Sequence, residues 1–573
     1  MTKLQKLSFV ILLPFFVFAG AAECQTNDLP AIPLDYFRSP LNIPLYLAGN
    51  FGEIRSNHFH SGLDIKTNQR EGLPVYAVAD GYVSRLRVQI GGFGNALYID
   101  HPNGVTSVYA HLQKFNPLIA SRVKALQYEK QSFPVDFMLT PIEIRVKKGD
   151  IIAYSGNTGG SAGPHLHFEL RNAKTEETIN PLTLGIKIKD TVKPQMSALY
   201  IYKTNNSIFN EHTPKQYFAT YGTNGVYTLG KVGTISVNGE FGLGITAFDQ
   251  QNGSINHNGL FSTVIKLDGN IIYESVIDKF AFENSRAVNA YIDYHSKLSS
   301  GRVIQKGFIA QNPKIGFVKS AINNGRIELK DNTTHNIEYI IKDIEGNASI
   351  LRFNVKNNTA LPIKSLTEDS KFMSYKTENK FETDGVKLTL PAGVLYNDLY
   401  FDYAEKAKPS YGESKIFQLH NRYTPLHSPF DLAIKADSSS FAHADKLIVY
   451  QLETGSQGGT FKDGYVYANP KTFGNFCLRA DSVAPIISAI NVKDGINLSK
   501  QANMVFKISD QLSGIKSFNG YIDDQWILME YDIRNGRLWH TFDEKTGFGK
   551  HTLKLVVTDN KENTKTYQIT FYR

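Results

Sequence analysis

The residues best suited to chemistry stand in a short segment, residues 163–170, in which polar and apolar residues alternate. This period of two is typical of a half-buried β-strand, so His165, His167 and Glu169 are expected on one face. Residues two apart on a strand lie about 6.6 Å from each other. That spacing suits one imidazole bound to a metal ion and a second that reaches water on that metal. A single pair of histidines is a weak signal, because histidines are also common as structural residues.

Partners for this pair stand upstream, at His60 and Asp64. On a straight strand these two residues would be about 13 Å apart, which is too far for them to share one ion. Ser61 and Gly62 between them are a turn signal that lets the chain fold back. His60, Asp64 and one histidine of the pair would then form a site with three protein ligands and an open fourth position. This is the ligand set of a hydrolytic zinc ion, since structural zinc sites use four protein ligands and favour cysteine.

Five sequence blocks carry a resemblance to a known family. They are HSGLDI (60–65), PVYAVADGYVSRL (74–86), GFGNALYIDHPNGVTSVYAHL (92–112), VKKGDIIAYSGNTGGSAGPHLHFEL (146–170) and INPL (179–182). In this order they resemble the lysostaphin/LytM-type zinc metalloendopeptidases, which cut peptide cross-links of bacterial peptidoglycan. The resemblance implies an antiparallel β-sheet domain in which His60, Asp64 and His167 bind Zn²⁺. It also implies that His165 is the general base and that His111 stabilises the oxyanion.

Two other histidines near these motifs are assigned no catalytic role. His58 falls outside the family's motif and is expected in an exposed loop, and His101 stands at a hairpin turn. Residues 77–83 and 146–152 also resemble the β-hairpins of lipoyl and biotinyl carrier domains. The exposed lysine turn of those domains has no match here, so the histidine set favours the peptidase.

The N-terminal residues predict export. Residues 1–24 combine Lys3 and Lys6 with an apolar run that ends in small residues, which is typical of a secretory signal peptide and not of a transmembrane helix. Cys24 raises the question of a lipid anchor, but Glu23 replaces the small residue that lipoprotein processing favours. We therefore expect a protein of the periplasm or cell envelope with no transmembrane helix in its mature chain.

The composition restricts the class of protein further. A chain of 573 residues is too long for one core, and about four domains are expected. Its two cysteines, Cys24 and Cys477, exclude a disulfide framework. The formal net charge of +8 is modest for this length, and no basic cluster predicts nucleic-acid binding.

Short alternating segments separated by turn residues predict an all-β chain. Two modules of this chain share aspartate-centred motifs at corresponding places, Asp190 with Asp481, Asp249 with Asp510, and Asp343 with Asp559. Both modules resemble immunoglobulin-like β-sandwiches. The predicted domains after the signal peptide are a zinc peptidase domain (26–190), an immunoglobulin-like β domain (191–358), a β-rich domain of unassigned family (359–480) and a second immunoglobulin-like β domain (481–573).

An insertion at residues 113–145 interrupts the peptidase motifs. It is longer than the roughly 2–6 residues usual for connections in compact domains, and its residues 121–130 fit a short amphipathic helix. Because it follows His111 closely, two interpretations stand, a wall or lid of the substrate groove and a surface excursion without a role.

The sequence thus predicts a zinc-dependent endopeptidase that hydrolyses peptide cross-links of peptidoglycan. The D-alanyl to diaminopimelate bond is favoured over glycine bridges, because an exported chain without a wall-anchoring tail suits a cell with an outer membrane. Two alternatives stay open, a non-hydrolytic envelope scaffold that activates another wall hydrolase, and a wall-binding β-sandwich protein. The C-terminal domains would bind a wall polymer or an envelope protein partner, or space the enzyme from a surface.

Overall fold

The computed structural model describes residues 31–205, 207–358 and 371–573. In these residues β-strands dominate and helices are few and short, which confirms the all-β prediction. The predicted signal peptide and Cys24 lie outside the described residues. Within the described ranges, no helix combines the length and the apolar content needed to cross a membrane.

The N-terminal part contains one large antiparallel sheet and two smaller sheets, of three and two strands. Its strands in chain order are β1 (Leu47–Gly49), β2 (Ile54–Arg55), β3 (His58–Phe59), β4 (Leu63–Lys66), β5 (Pro74–Tyr76), β6 (Gly81–Val88), β7 (Asn95–Asp100), β8 (Val105–Ala110), β9 (Lys114–Phe115), β10 (Val135–Met138), β11 (Arg145–Val146), β12 (Ile151–Tyr154), β13 (His165–Asn172) and β14 (Thr178–Ile179). The main path of the sheet runs β1-β4-β13-β8-β7-β6-β10. Strands that carry the sequence motifs are therefore neighbours in space although they are far apart in the chain.

Strand β13 lies at the centre of this sheet, between β4 and β8. Its apolar residues Leu166, Phe168 and Leu170 are fully buried in the hydrophobic core. The alternating pattern therefore directs the polar residues of the strand to the opposite face, as the sequence predicted. Gly62 makes the neighbouring turn possible, because a Cβ atom there would lie 2.4 Å from the backbone oxygen of Phe168.

The insertion folds around helix α1 (Pro117–Lys130), which begins earlier than the predicted segment 121–130. The Asn116 side chain caps the helix by accepting a hydrogen bond from the backbone N–H of Ile119 at 2.9 Å. Pro117 occupies the first turn, where its missing N–H costs nothing. Local capping thus sets the start of the helix, while the weak apolar periodicity marks only its later turns.

The outer face of α1 contacts the last domain of the chain. The Tyr128 hydroxyl donates a hydrogen bond to Asp543 at 2.7 Å, and the Lys124 ammonium lies 2.9 Å from the same carboxylate. The Tyr128 ring also packs edge-on against Trp526, with ring centroids 5.3 Å apart. The insertion is therefore a contact surface for the C-terminal domain.

Residues 195–357 form two sheets that enclose one hydrophobic core. Short helices α2 (Val288–Tyr291) and α3 (Tyr294–Ser300) and the 3₁₀ helices Phe282–Ala287 and Ile322–Gly325 accompany them, and a further 3₁₀ helix, Pro181–Leu184, precedes them. The strands are Gln195–Lys203, Lys215–Ala219, Tyr221–Thr223, Val226–Thr228, Ile235–Val237, Glu240–Phe248, Ser262–Leu267, Asn270–Val276, Lys279–Phe280, Gln305–Lys306, Val318–Ala321, Ile327–Glu328, Thr334–Lys342 and Ala348–Asn357.

Two further β units follow, each with its own core; the first has two five-stranded sheets and one two-stranded sheet, and the second has two sheets. The first comprises the 3₁₀ helix Ser438–Lys446 and the strands Lys371–Met373, Asn379–Glu382, Val386–Leu390, Leu399–Phe401, Tyr403–Lys406, Ile416–Leu419, Asp431–Lys435, Leu447–Gln451, Gly455–Ser456, Thr460–Lys462, Tyr465–Ala468 and Gly474–Ala480. The second comprises Ile486–Ala489, Ile496–Asn497, Asn503–Ser509, Ile515–Ile522, Gln525–Ile527, Glu530–Asp532, Arg537–Thr541, Lys550–Asp559 and Thr564–Tyr572.

The first two structural units share one core. Strand Lys279–Phe280 pairs with β14 and so extends the peptidase sheet. The Phe280 ring lies 4.9 Å from Phe51 and 5.7 Å from Phe59, centroid to centroid. Several other residues of the second unit belong to the same buried cluster, namely Ile277, Val288, Tyr291, Ile292 and Phe317.

Phe280→Ala is expected to destabilise the first two units together. Removing a buried phenylalanine costs about 3–5 kcal/mol, because contacts are lost and a cavity remains. We expect a lower midpoint for the thermal transition that reports these units, measured by calorimetry. Phe548→Ala is the matched control, since Phe548 is 87% exposed and its removal is expected to leave every transition unchanged. Equal effects of the two substitutions would contradict the shared core.

Candidate active site

Three side chains predicted as metal ligands converge where the central strands β4 and β13 pair. Asp64 and His167 are direct partners across the antiparallel ladder, and His60 reaches them through the turn before β4. The Oδ1 atom of Asp64 lies 3.0 Å from Nε2 of His60 and 2.9 Å from Nδ1 of His167. The two imidazole nitrogens are 3.1 Å apart. All three residues are buried.

Each of the two imidazoles is held by a hydrogen bond at its other nitrogen. Nδ1 of His60 lies 2.8 Å from the backbone oxygen of Asn50, and Nε2 of His167 lies 2.8 Å from a carboxylate oxygen of Glu169. Both outer nitrogens face acceptors and must donate, so Nε2 of His60 and Nδ1 of His167 are the atoms available to a metal ion. Such outer hydrogen bonds fix the tautomer and the ring orientation of metal-binding histidines.

Asp64 is ionised in this setting. Burial opposes ionisation, but the contacts with His60, His165 and His167 outweigh it and hold the pKa of the carboxyl well below its usual value. Arg55 donates to the other carboxylate oxygen, Oδ2, at 2.9 Å. Oδ1 is therefore the oxygen that faces the two imidazoles.

The donor set fits a zinc ion. Burial lowers the pKa of His167, yet hydrogen bonds to Asp64 and Glu169 raise it to about 9, so a proton on Nδ1 bridges to Asp64 in the absence of metal. Tetrahedral zinc with bonds of about 2.0–2.1 Å requires ligand atoms about 3.3 Å apart. The three atoms here are 2.9–3.1 Å apart, so an ion that replaces this proton needs only a small expansion. Two nitrogens and one oxygen leave the fourth position open.

Glu169 orients His167 by accepting a hydrogen bond from its Nε2, a role that the sequence analysis missed. Its carboxylate is fully buried and accepts hydrogen bonds from His167, from Ser61 and, at 2.6 Å, from Nε of Arg171. Burial disfavours the ionised carboxyl, but Arg171 and His167 outweigh it and lower the pKa to about 2. The signal that could have found this role is the continuation of the period-two face from His167 through Glu169 to Arg171.

His165 stands beside the three converging residues and is more exposed than they are. Its Nδ1 lies 2.8 Å from the backbone oxygen of Gly163, to which it donates, so its Nε2 carries the lone pair. This Nε2 lies 3.3 Å from Oδ1 of Asp64. An unprotonated nitrogen at this position can accept a proton from a group bound at the open metal position.

His111 faces His165, with ring centroids 4.8 Å apart. Its backbone is left-handed, with φ of 57°, a conformation that is strained for a residue with a side chain. Nδ1 donates to the backbone oxygen of Thr158 at 2.8 Å. Burial, followed by the charges of His167 and His165, lowers the pKa of His111 to about 3. The ring is therefore neutral, and its Nε2 can donate a hydrogen bond only after gaining a proton.

The two remaining histidines lie outside this cluster. His58 is exposed at the edge of the groove, in strand β3 and not in a loop. His101 is buried next to the turn that follows β7, where its nitrogens lie 2.8 Å from the oxygens of Asp80 and Ser107. Neither residue shares an ion with the converging ligands.

The site opens into a groove of about 700 Å³. Phe93 and the segment 160–164 form part of its wall, and Phe282 and Ser285 of the second unit also line it. The last domain reaches the same wall, because Arg534 donates a hydrogen bond to the backbone oxygen of Ser161 at 2.9 Å. Residues from the first two structural units thus line the groove, and the last domain contacts its wall.

Comparisons with known proteins match two parts of the chain. Residues 58–128 and 140–181 match the model of peptidase family M23, and residues 370–481 match a Zu5-like domain. The chain is 31% identical over 144 residues to the DD-carboxypeptidase/endopeptidase Mpg of Neisseria meningitidis, a match that covers 25% of this chain and 27% of that protein. It is 39% identical over 140 residues to an uncharacterised metalloprotease of Haemophilus influenzae, which covers 24% and 23%. The chain therefore spans about a quarter of the length of these curated relatives.

One solved structure matches a similar fraction of this chain. A zinc-containing peptidase from Vibrio cholerae is 26% identical, and the match covers 27% of this chain and 41% of that one with a TM-score of 0.20. The Zu5-like match falls on the segment for which the sequence analysis assigned no family.

Proposed function

Since the chain carries a peptidase family M23 domain at residues 58–128 and 140–181, we propose that it is a zinc-dependent endopeptidase that hydrolyses peptide cross-links of peptidoglycan. The observation that carries this proposal is the convergence of His60, Asp64 and His167 with His165 beside them. A zinc ion bound there supplies the Lewis acidity that polarises the scissile carbonyl and makes water nucleophilic at neutral pH. The full ligand set speaks against a non-hydrolytic scaffold.

His165 is the general base in this proposal. Its Nδ1–H is fixed by Gly163, so its Nε2 takes a proton from the attacking water and returns it to the leaving amine. Histidine suits this step because its ordinary pKa of about 6.5 allows both transfers near neutral pH.

His111 acts on the carbonyl oxygen in this proposal. The neutral ring, with Nδ1–H held by Thr158, cannot donate from Nε2 in the resting state. We therefore assign it a donor role that begins when its Nε2 receives a proton from solvent. Negative charge on the carbonyl oxygen favours that protonation.

The bond proposed is the direct D-alanyl to diaminopimelate cross-link. Similarity to proteins named DD-carboxypeptidase/endopeptidase and peptidoglycan DD-endopeptidase supports it. A relative named glycyl-glycine endopeptidase, 34% identical over 111 residues, makes glycine bridges the competing substrate. The periplasm or cell envelope is the proposed location, and the residues 1–24 are the proposed export signal.

Digestion of two purified wall types tests the function and the bond together. The chain lacking only the proposed signal peptide is loaded with zinc and incubated with directly cross-linked peptidoglycan or with glycine-bridged peptidoglycan. Mass spectrometry is expected to show new D-alanyl carboxyl and diaminopimelate amino ends only from the first wall. The products are expected to vanish with a zinc chelator and to return with added zinc. A zinc-loaded chain that releases nothing from either wall would overturn the proposal in favour of a scaffold.

We further propose that the last domain, through Arg534, fixes the position of segment 160–164, which precedes His165. Asp532 holds the guanidinium with two contacts of 2.8 Å, and Arg534 in turn holds the backbone of Ser161. The Ser161 hydroxyl lies 3.1 Å from Nδ1 of His165. The last domain therefore helps to orient His165, the proposed base, through Ser161.

Arg534→Met is expected to lower kcat by about 3–10-fold, the value of one lost hydrogen bond of about 1 kcal/mol. Zinc content and thermal stability are expected to stay unchanged. Arg537→Met is the matched control, since the Arg537 guanidinium lies over the ring of Trp539 in its own strand, Arg537–Thr541. Equal kinetics for the two variants would exclude the role of Arg534.

A further inference from the structure

Three aspartates meet at one end of the second unit, far along the chain from the zinc ligands. Asp190 precedes strand Gln195–Lys203, Asp249 directly follows Glu240–Phe248, and Asp343 directly follows Thr334–Lys342. One carboxylate oxygen from each lies within 4.8 Å of the other two. Strand ends that meet at the same edge of the sandwich thus bring together residues that are more than 150 positions apart.

One carboxylate oxygen of Asp249 is left without a partner. The residue is 5% exposed, and its Oδ1 atom is buried with no hydrogen bond. Asp343 accepts hydrogen bonds from the backbone and side chain of Asn347, and Asp190 accepts one from the backbone of Val192. A buried polar oxygen without a hydrogen bond costs about 1–3 kcal/mol, so this oxygen calls for a ligand.

In the part of the chain that the structure describes, no basic side chain forms an ion pair with this cluster. Burial first, and then the charges of Asp343 and Asp190, raise the pKa of Asp249 to about 8. Burial also raises the pKa of Asp190 and of Asp343, and Glu345 adds a fourth acidic group nearby. Among the described residues, none of the three aspartates is influenced by a lysine, arginine or histidine.

We propose that Asp190, Asp249 and Asp343 bind a calcium ion. Calcium is coordinated by about six to eight oxygens at about 2.3–2.6 Å, so two of its ligands lie at most about 5 Å apart. The carboxylates meet this limit and offer up to six oxygens, to which water can be added. An all-oxygen set without nitrogen or sulfur disfavours zinc, and magnesium prefers a few carboxylates with several waters in strict octahedral geometry.

The last domain contains a second cluster of three aspartates, and this cluster has a lysine side chain beside it. Asp481, Asp510 and Asp559 also place one oxygen each within 4.8 Å of the others. Lys561 stands two positions after Asp559, where the first cluster has Glu345 two positions after Asp343. Its charge interacts with Asp481 and Asp559. The need for an ion is therefore greater in the first cluster, and the proposal concerns that cluster.

A bound calcium ion would fix the contact between the first two units. The loop that follows Asp249 packs on the segment before β2, where Asn50 accepts a hydrogen bond from the backbone of Gly259 at 2.8 Å. The side chain of Gln251 bonds to the backbone of Leu45 and Leu47. The backbone oxygen of the same Asn50 holds His60. Calcium would thus stabilise the loop on which the support of a zinc ligand rests.

Calcium binding by the full chain tests the proposal independently of peptidase activity. Zinc-loaded protein is freed of calcium by dialysis and then titrated with calcium, with bound calcium measured by equilibrium dialysis and atomic emission. Asp249→Asn is expected to bind one calcium ion fewer per chain than the wild type. Asp463→Asn, an exposed turn residue with φ of 51° in the Zu5-like segment, is the matched control and is expected to bind as the wild type does.

Thermal unfolding gives a second readout whose sign is specific. Without calcium, Asp249→Asn is expected to melt above the wild type, because the buried unpaired carboxylate is gone. With calcium at 100 times its Kd, the wild type is expected to gain about 5–10 °C and to exceed the variant. Unchanged calcium binding by Asp249→Asn overturns the proposal. So does a variant that melts below the wild type to the same extent with and without calcium.

Discussion

His165→Ala is expected to lower kcat for cross-link hydrolysis by about 10²–10⁴-fold while the chain still binds one zinc ion. The hydrogen bond from Nδ1 to Gly163 leaves Nε2 of His165 free to accept a proton, so this ring can act as a base. The nitrogens nearest to Oδ1 of Asp64 are those of His167 and His60, at 2.9 and 3.0 Å, and Nε2 of His165 is slightly farther away, at 3.3 Å. Loss of the ring therefore removes proton transfer and spares the metal.

Steady-state kinetics on a purified cross-linked peptide dimer, with zinc content from the same samples, measure this effect. His58→Ala is the matched control, since His58 is an exposed histidine on the same groove and is expected to keep kcat within about threefold. Loss of zinc from His165→Ala would identify His165 as a ligand. A kcat within tenfold of the wild type would remove it from the proton-transfer step.

The faces and turns that present His60, Asp64, His165 and His167 were predictable because they depend on local patterns, whereas the pairing of β4 with β13 that brings them together is a long-range contact. Alternation along β13 decides which face His165 and His167 occupy, and the small residues before β4 allow the turn that returns His60 toward Asp64. Neither feature requires knowledge of distant packing. The resemblance to known peptidases added His111, which no local pattern marks.

The supports of these residues were less visible in the sequence. The backbone oxygen of Asn50 accepts a hydrogen bond from His60. Every residue has such an oxygen, so the residue type at position 50 does not predict this contact. Arg55 orients Asp64 from a short hairpin whose position depends on the fold. Of these residues, only Glu169 continued the alternating pattern of β13. That pattern predicts which face of the strand Glu169 occupies, but not that it accepts a hydrogen bond from His167.

The walls of the groove could not be predicted from the motifs at all. Phe282, which lines the groove, and Arg534, which contacts its wall at Ser161, lie more than 100 and more than 350 residues beyond β13. They come to these positions only because separate sheets pack together. That packing depends on apolar surfaces such as the Phe280 contact and on the outer face of α1. Both surfaces read in sequence as ordinary strand and helix residues.

Glu169→Ala is expected to weaken zinc binding by about 10–100-fold, the usual cost of losing a hydrogen bond behind a metal ligand. Without the Glu169 carboxylate, the Nε2–H of His167 has no acceptor and the ring loses its fixed orientation. The same substitution leaves the buried Arg171 guanidinium without its partner, which is expected to cost about 3–5 kcal/mol of unfolding free energy. Competition with a zinc chelator and thermal unfolding measure the two effects.

Glu176→Ala is the matched control for the charge on Arg171. Its carboxylate lies 3.7 Å from the same guanidinium but is 66% exposed, so its loss is expected to cost no more than about 1 kcal/mol and to leave zinc binding unchanged. Wild-type zinc affinity in Glu169→Ala would show that the hydrogen bond behind His167 does not orient the ring.

A double substitution separates the two roles of Glu169. Arg171→Met in the Glu169→Ala background removes the unpaired buried charge while keeping an apolar chain against the Phe282 ring, which lies 4.4 Å from the guanidinium. Replacing a buried ion pair by apolar residues is often neutral for stability, so unfolding free energy is expected to recover. Zinc affinity is expected to stay low, because His167 still lacks its acceptor. Recovery of zinc affinity together with stability would mean that Glu169 acts on the site only through the fold, and that the carboxylate is not a positioning residue for the metal ligand.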